Sequence, residues 1–269
     1  MPKRTKQPAV PTMEGTAPPP SRAAMRKVNV PAAERGPRYR LASGLPEEPP
    51  AGMSVEEVIA LLEPHLRPER CARLAGVAAQ RMESLTVVLE GLYDPGNRSA
   101  VYRTAESFGV LDLHVVNPAA AKKPHARAVS RGAEKWTRIH EWAWPEDAVR
   151  SLRARGFLVA ASDLQAEVAL HEVSFEQPVA LVFGNEHDGI TEEMRELADV
   201  RFVVPMRGFT ESLNISTAAA VCIAHARAAR ERALGALTDL DMQQVRRLHA
   251  AYLRRAVRAS GDILGVGPQ

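Results

Sequence analysis

Residues 85–116 read LTVVLEGLYDPGNRSAVYRTAESFGVLDLHVV. The opening run Leu85-Thr86-Val87-Val88-Leu89 is short, apolar and rich in β-branched residues, which is the composition of a buried strand. Asp94-Pro95-Gly96-Asn97 is a cluster of turn formers. A helix is expected over about 98–108, and Asn97 can cap its start as an Asx residue. Gly109 is placed to stop that helix, and Val110–Val116 is a second apolar strand. Strand, loop, helix and strand in succession make a βαβ unit. Strands apolar on both faces belong to a parallel sheet covered by helices on both sides.

The same rhythm runs downstream. A helix over about 146–155 ends at Gly156, and strands are expected at Phe157–Ala161 and Val179–Phe183. A helix over Thr191–Ala198 precedes a strand at Arg201–Val204. Long helices come next, from Asn214 to about Arg232 and from Asp241 to Ala259. Upstream, Met53 to Arg81 reads as two helices broken at Pro64 and Pro68. Residues 1–50 hold eleven of the 20 prolines, so they are expected to be a flexible basic tail. The expected organisation is a tail over 1–50, N-terminal helices over 51–83, an α/β domain over 84–235 and a C-terminal helix within 236–269.

The formal net charge of +3 is unevenly spread. Residues 1–50 balance to +5, residues 225–269 to +4, and the middle to −6. An acidic body with basic ends suits a polyanionic partner. Cys71 and Cys222 form no metal-spaced motif and support no disulfide framework, which indicates a reducing compartment. No apolar run approaches the roughly 18 residues of a membrane span. The basic start lacks the apolar core of a signal peptide. A cytoplasmic protein is expected, with no membrane.

Ligands on parallel sheets sit beyond the carboxyl ends of the strands, and three loops there stand out. The first is Asn97-Arg98-Ser99-Ala100-Val101-Tyr102-Arg103-Thr104-Ala105. The second is Phe183-Gly184-Asn185-Glu186-His187-Asp188-Gly189-Ile190-Thr191. Its two glycines permit tight main chain near a ligand, but neither a dinucleotide fingerprint nor a phosphate-loop lysine is present. Glu186, His187 and Asp188 are adjacent and have no second ligand cluster, so no metal is expected. The third runs Val203-Val204-Pro205-Met206-Arg207-Gly208-Phe209-Thr210-Glu211-Ser212-Leu213-Asn214-Ile215-Ser216, with Ser212 and Asn214 at a helix start.

Taken together and in this order, the three loops resemble the motifs of the SpoU/TrmH family of RNA ribose 2′-O-methyltransferases, over about residues 67–260. The resemblance implies a SPOUT-type α/β fold, a parallel sheet with a C-terminal trefoil knot. It also implies a homodimer and S-adenosyl-L-methionine as cofactor. By position, Ser162, Gly184, Val204 and Leu213 would bind that cofactor. Arg103 would act on the ribose 2′-hydroxyl, and Asn97, Glu186, Ser212 and Asn214 would complete the active site. An arginine is a difficult base, so Arg103 is either deprotonated in a special environment or stabilises the forming alkoxide.

The short N-terminal helices and the extra C-terminal helix look like the tRNA members that methylate guanosine-18. Ribosomal RNA methylation and a non-catalytic RNA-binding protein are the alternatives. The chain departs from that subgroup at Gly96, His225 and Ala228, with Arg227 and Arg230 nearby.

Overall fold

The computed structural model describes residues 39–92, 94–116 and 132–266. Its centre is an eight-stranded sheet. The strands are β1 (Tyr39–Ser43), β2 (Leu85–Glu90), β3 (Asp112–Val116), β4 (Arg138–Trp142), β5 (Leu158–Ser162), β6 (Val168–Ala169), β7 (Val179–Phe183) and β8 (Val200–Val203), in the order β1-β4-β3-β2-β7-β5-β8-β6. Every pairing is parallel except that of the edge strand β1 with β4.

The helices are α1 (Val55–Leu62), α2 (Pro68–Ala78), α3 (Pro95–Ser107), α4 (Pro145–Ala154), α5 (Glu192–Leu197), α6 (Ile215–Leu234), α7 (Met242–Ala256) and α8 (Ser260–Ile263). Their starts are written locally. Ser54 and Glu57 close a reciprocal capping box on α1, and Asp241 and Gln244 close another on α7. Pro68, Pro95 and Pro145 open α2, α3 and α4, where the missing N–H costs nothing. Gly109 comes after α3 at φ +77°, and a Cβ there would meet the Gln80 carbonyl oxygen at 2.7 Å.

Alternate residues of the strands serve two cores. Leu85, Val87, Leu89, Leu113, Val115 and Leu181 pack against Val101 and Ala105 of α3 and against Ala219, Ile223 and Ala226 of α6. Val88, Val116, Val159, Ala180 and Val182 pack against Ala148, Val149 and Leu152 of α4 and Met194 of α5. A third cluster joins α1, α2 and α7 through Val58, Leu62, Leu74, Ala78, Leu248, Tyr252 and Leu253. Each fully buried Leu or Val contributes about 1.5–3 kcal/mol over its exposed state.

Two expectations need correction. Residues 39–50 are not tail: β1 pairs with β4, and Glu47 binds Arg138 through both carboxylate oxygens at 2.6 and 2.7 Å. The proline count of this segment conceals a strap held by strand pairing, by ion pairs of Arg40 with Glu141 and Glu47 with Arg138, and by Leu45 packed on the α1-α2-α7 cluster. The rest of the expected tail, residues 1–38, lies outside the described residues. The second correction is β4, which the sequence pattern does not announce. Its polar Arg138 and His140 face buried Asp112, which lies 3.0 Å from His140 Nε2 and also accepts from Arg155.

Candidate active site

The first loop is shaped by Asp94. Its Oδ1 accepts the Asn97 main-chain N–H at 2.6 Å, so Asp94 caps α3 and Asn97 lies inside the first turn. The expectation that Asn97 caps the helix is therefore wrong, and its side chain is free for other bonds. Asn97 Nδ2 donates to Glu186 Oε1. Asn97 Oδ1 accepts from Asn214 Nδ2 at 3.2 Å. Asn214 in turn caps α6, its Oδ1 accepting from the Ser216 N–H at 2.9 Å and the Ser216 hydroxyl at 2.6 Å. One side chain from each loop thus enters a single chain of hydrogen bonds.

The second loop is a tight turn. Asn185 and Gly189 exchange two main-chain hydrogen bonds of 3.1 Å, and Asn185 Oδ1 accepts from the N–H groups of His187 and Asp188 at 2.8 Å. A Cβ on Gly184 would fall 2.0 Å from the Gly189 carbonyl carbon, so only glycine allows the loop to close on itself. Glu186 stands exposed at the tip.

The third loop behaves differently. From Val204 to Leu213, among the described residues, no main-chain N–H or C=O bonds to another main-chain group. Val204 and Leu213 are half-buried, and Ser212 is exposed. Ser162 closes β5, Gly184 comes directly after β7 and Val204 directly after β8, so these three stand at the same ends of the adjacent strands β7-β5-β8.

Arg103 lies on the third turn of α3 and is exposed. It makes no hydrogen bond or ion pair among the described residues. The structure therefore joins Asn97, Glu186 and Asn214, and leaves Arg103 and Ser212 outside that network. Sequence reasoning missed two contributors. Asp94 could have been found from its place before Pro95. Glu90, 2% exposed, accepts from the Thr191 N–H at 2.9 Å and its hydroxyl at 2.6 Å. Burial raises the Glu90 carboxyl above the usual carboxylate range. Nothing in an acid at the end of an apolar run signals this pairing.

Residues 84–224 match the SpoU rRNA Methylase family. The chain belongs to that family. A tRNA (guanosine(18)-2′-O)-methyltransferase of Thermus thermophilus is 37% identical over 190 residues, covering 69% of this chain and 96% of the relative. The crystal structure of the Aquifex aeolicus TrmH/SpoU tRNA modifying enzyme superposes with a TM-score of 0.61 at 30% identity. It covers 68% of this chain and 95% of the other. An AdoMet-bound rRNA methyltransferase from Sinorhizobium meliloti is 29% identical with a TM-score of 0.50, over 58% of this chain and 59% of that one. The SpoU match begins at β2 and ends within α6, so it contains all three loops and excludes β1, α1, α2 and α7.

Proposed function

We propose that this chain transfers a methyl group from S-adenosyl-L-methionine to the ribose 2′-hydroxyl of guanosine-18 in tRNA. The observation that carries the reading is the link from Glu186 through Asn97 to Asn214, which joins the three loops that the sequence singles out separately. The Thermus relative that covers most of this chain bears that activity in its name.

The residues fit the cofactor. Main-chain groups over 204–213 that bond to no other main-chain group among the described residues, beside half-buried Val204 and Leu213, suit an adenosine held by main-chain hydrogen bonds against apolar side chains. Ser162 and Gly184 flank the same strand ends. When bound, the cofactor supplies a methyl group on a sulfonium sulfur, which is electrophilic without a metal. The protein's part is alignment and charge. Asn97, Glu186 and Asn214 fix the relative positions of three loops, and holding reactants in line is worth several kcal/mol. Arg103 supplies positive charge where the 2′-oxygen becomes anionic.

The reading extends to a homodimer in the cytoplasm, with a trefoil knot in the chain around the second and third loops. The basic N-terminal segment and α7 would hold tRNA phosphates.

The test is methyl transfer from labelled cofactor to unmodified tRNA, with nuclease mapping of the methylated ribose. Label at guanosine-18 is expected. Label in ribosomal RNA alone would refute the tRNA assignment, and RNA binding without transfer to either would refute catalysis. Arg103→Ala is expected to abolish turnover while leaving cofactor affinity intact, and a near-normal rate would remove Arg103 from the mechanism.

A further inference from the structure

We infer that Glu90 is a positioning residue: with Thr191 it clamps the 184–190 loop to the end of β2, and cofactor capture and the placement of Glu186 depend on that clamp. The second half of the inference rests on the proposed methyltransferase reading. The first half stands on geometry alone.

The loop leaves the sheet at Phe183, which is paired with Leu89. It returns at Thr191, which is bound by Glu90. Its two ends are therefore fixed to consecutive residues of β2. The chain passes from β2 into α3, whose first turn carries Asn97, the residue that Glu186 meets from the loop tip. Both partners of that contact are thus measured from one pair of anchors. Thr191 also caps α5, accepting from the Met194 N–H at 3.1 Å, and Ile190 and Met194 are buried beneath it. One turn on, Arg195 Nε donates to Asp163 Oδ2 at 3.1 Å, tying α5 to the residue after Ser162.

Apolar packing alone would not need a carboxylate here. Burying one is costly unless it is hydrogen-bonded. The two donors it meets are both on Thr191, so the carboxyl and the loop end are matched to each other. A strand end that only required filling would accept a leucine. A strand end that must fix a turning loop in direction needs a bidentate acceptor.

Thr191→Val keeps the side-chain shape and removes the hydroxyl; Thr191→Ser keeps the hydroxyl. Glu90→Gln keeps the shape and removes one acceptor. In the ligand-free full chain, Thr191→Val is expected to speed hydrogen exchange of the 184–190 amides about tenfold, with β2 and β7 unchanged. It is expected to weaken S-adenosyl-homocysteine binding about tenfold by calorimetry, again reflecting one lost hydrogen bond. Thr191→Ser should behave like the parent, and Glu90→Gln should shift both readouts in the direction of Thr191→Val. A Thr191→Val protein that melts lower but keeps parental loop exchange and ligand affinity would overturn the clamp, as would a Thr191→Ser protein as impaired as Thr191→Val. A parent chain that binds no S-adenosyl-homocysteine would refute the methyltransferase reading alone. The exchange comparison would still decide the clamp.

Discussion

Replacing Asn97 by Asp changes one atom type at the centre of the proposed site. The new side chain keeps an oxygen for Asn214 Nδ2 but turns the donor facing Glu186 into a second carboxylate oxygen. Two unit charges at about 3 Å repel by about 1.4 kcal/mol at the dielectric of water and by about twice that at half that dielectric. Glu186 is exposed and Asn97 only half-buried, so the lower figure applies. The lost hydrogen bond to a charged acceptor adds about 1.5 kcal/mol, the low end of its range. If the Asn97–Glu186 link holds the loops in their transition-state arrangement, the rate falls by about 3 kcal/mol, roughly a hundredfold. The sign of the pH dependence is then fixed. Protonating the introduced carboxyl restores a donor between them, so the variant should recover as pH falls and lose rate as pH rises, relative to the parent. Single-turnover methyl transfer at several pH values measures this directly. An Asn97→Asp protein within about threefold of the parent at neutral pH would refute the reasoning, as would loss of rate with no pH dependence relative to the parent.

Other expectations concern stability. Removing residues 1–50 deletes β1 and the Glu47–Arg138 pair, so its Tm should fall by roughly 5–10 °C below that of a chain lacking only 1–38; equal melting points would show that the strap contributes nothing. His114, 1% exposed, accepts from Trp142 Nε1 at 2.9 Å, and burial, with the positive charge of His140 adding to it, pushes its pKa down to about 3. Unfolding frees it to protonate, so its cost to stability is absent above pH 6.5 and grows as pH falls toward 3. At pH 5 this amounts to about 2 kcal/mol. Urea titrations at pH 7.5 and 5 should show His114→Gln losing that much less stability than the parent.

The fold was legible wherever backbone demands are written in residue type. Pro95, Gly109, Gly156 and the apolar runs placed the βαβ units to within a few residues. The same demands placed Gly184 directly after β7 and Asn97 and Asn214 at helix starts. What the sequence concealed were elements held by pairing between distant polar groups. β4 is such a case, because the partners of Arg138 and His140 are Asp112, Glu83 and Glu47 from other segments. β1 is another, since Tyr39–Ser43 carries little apolar burial and is ordered by the neighbouring strand. Glu90 and Thr191 are 101 residues apart, and no local pattern brings them together.

The charge pattern needs the same correction, because a count of arginines is not a count of phosphate contacts. Of the eight arginines in 225–269, Arg227 binds Glu231 and the Gln80 carbonyl, and Arg230 binds Ser84 and the carbonyls of Phe175 and Glu176. Arg254 donates to the carbonyls of Pro46 and Glu48, Arg255 to that of Gly44, and Arg246 pairs with Glu56. These five hold α6 and α7 against the rest of the fold. Arg232, Arg247 and Arg258 make no hydrogen bond or ion pair among the described residues, and they are the C-terminal cations free to meet RNA. Each phosphate contact adds about 0.9 to the slope of log affinity against log salt. Changing these three to alanine should therefore flatten the slope by about 3 and leave the melting temperature unchanged. If all eight met phosphates, most of the C-terminal salt dependence would survive that change. An unaltered slope would mean that the C-terminal helices are scaffold, and that RNA is held elsewhere on the chain.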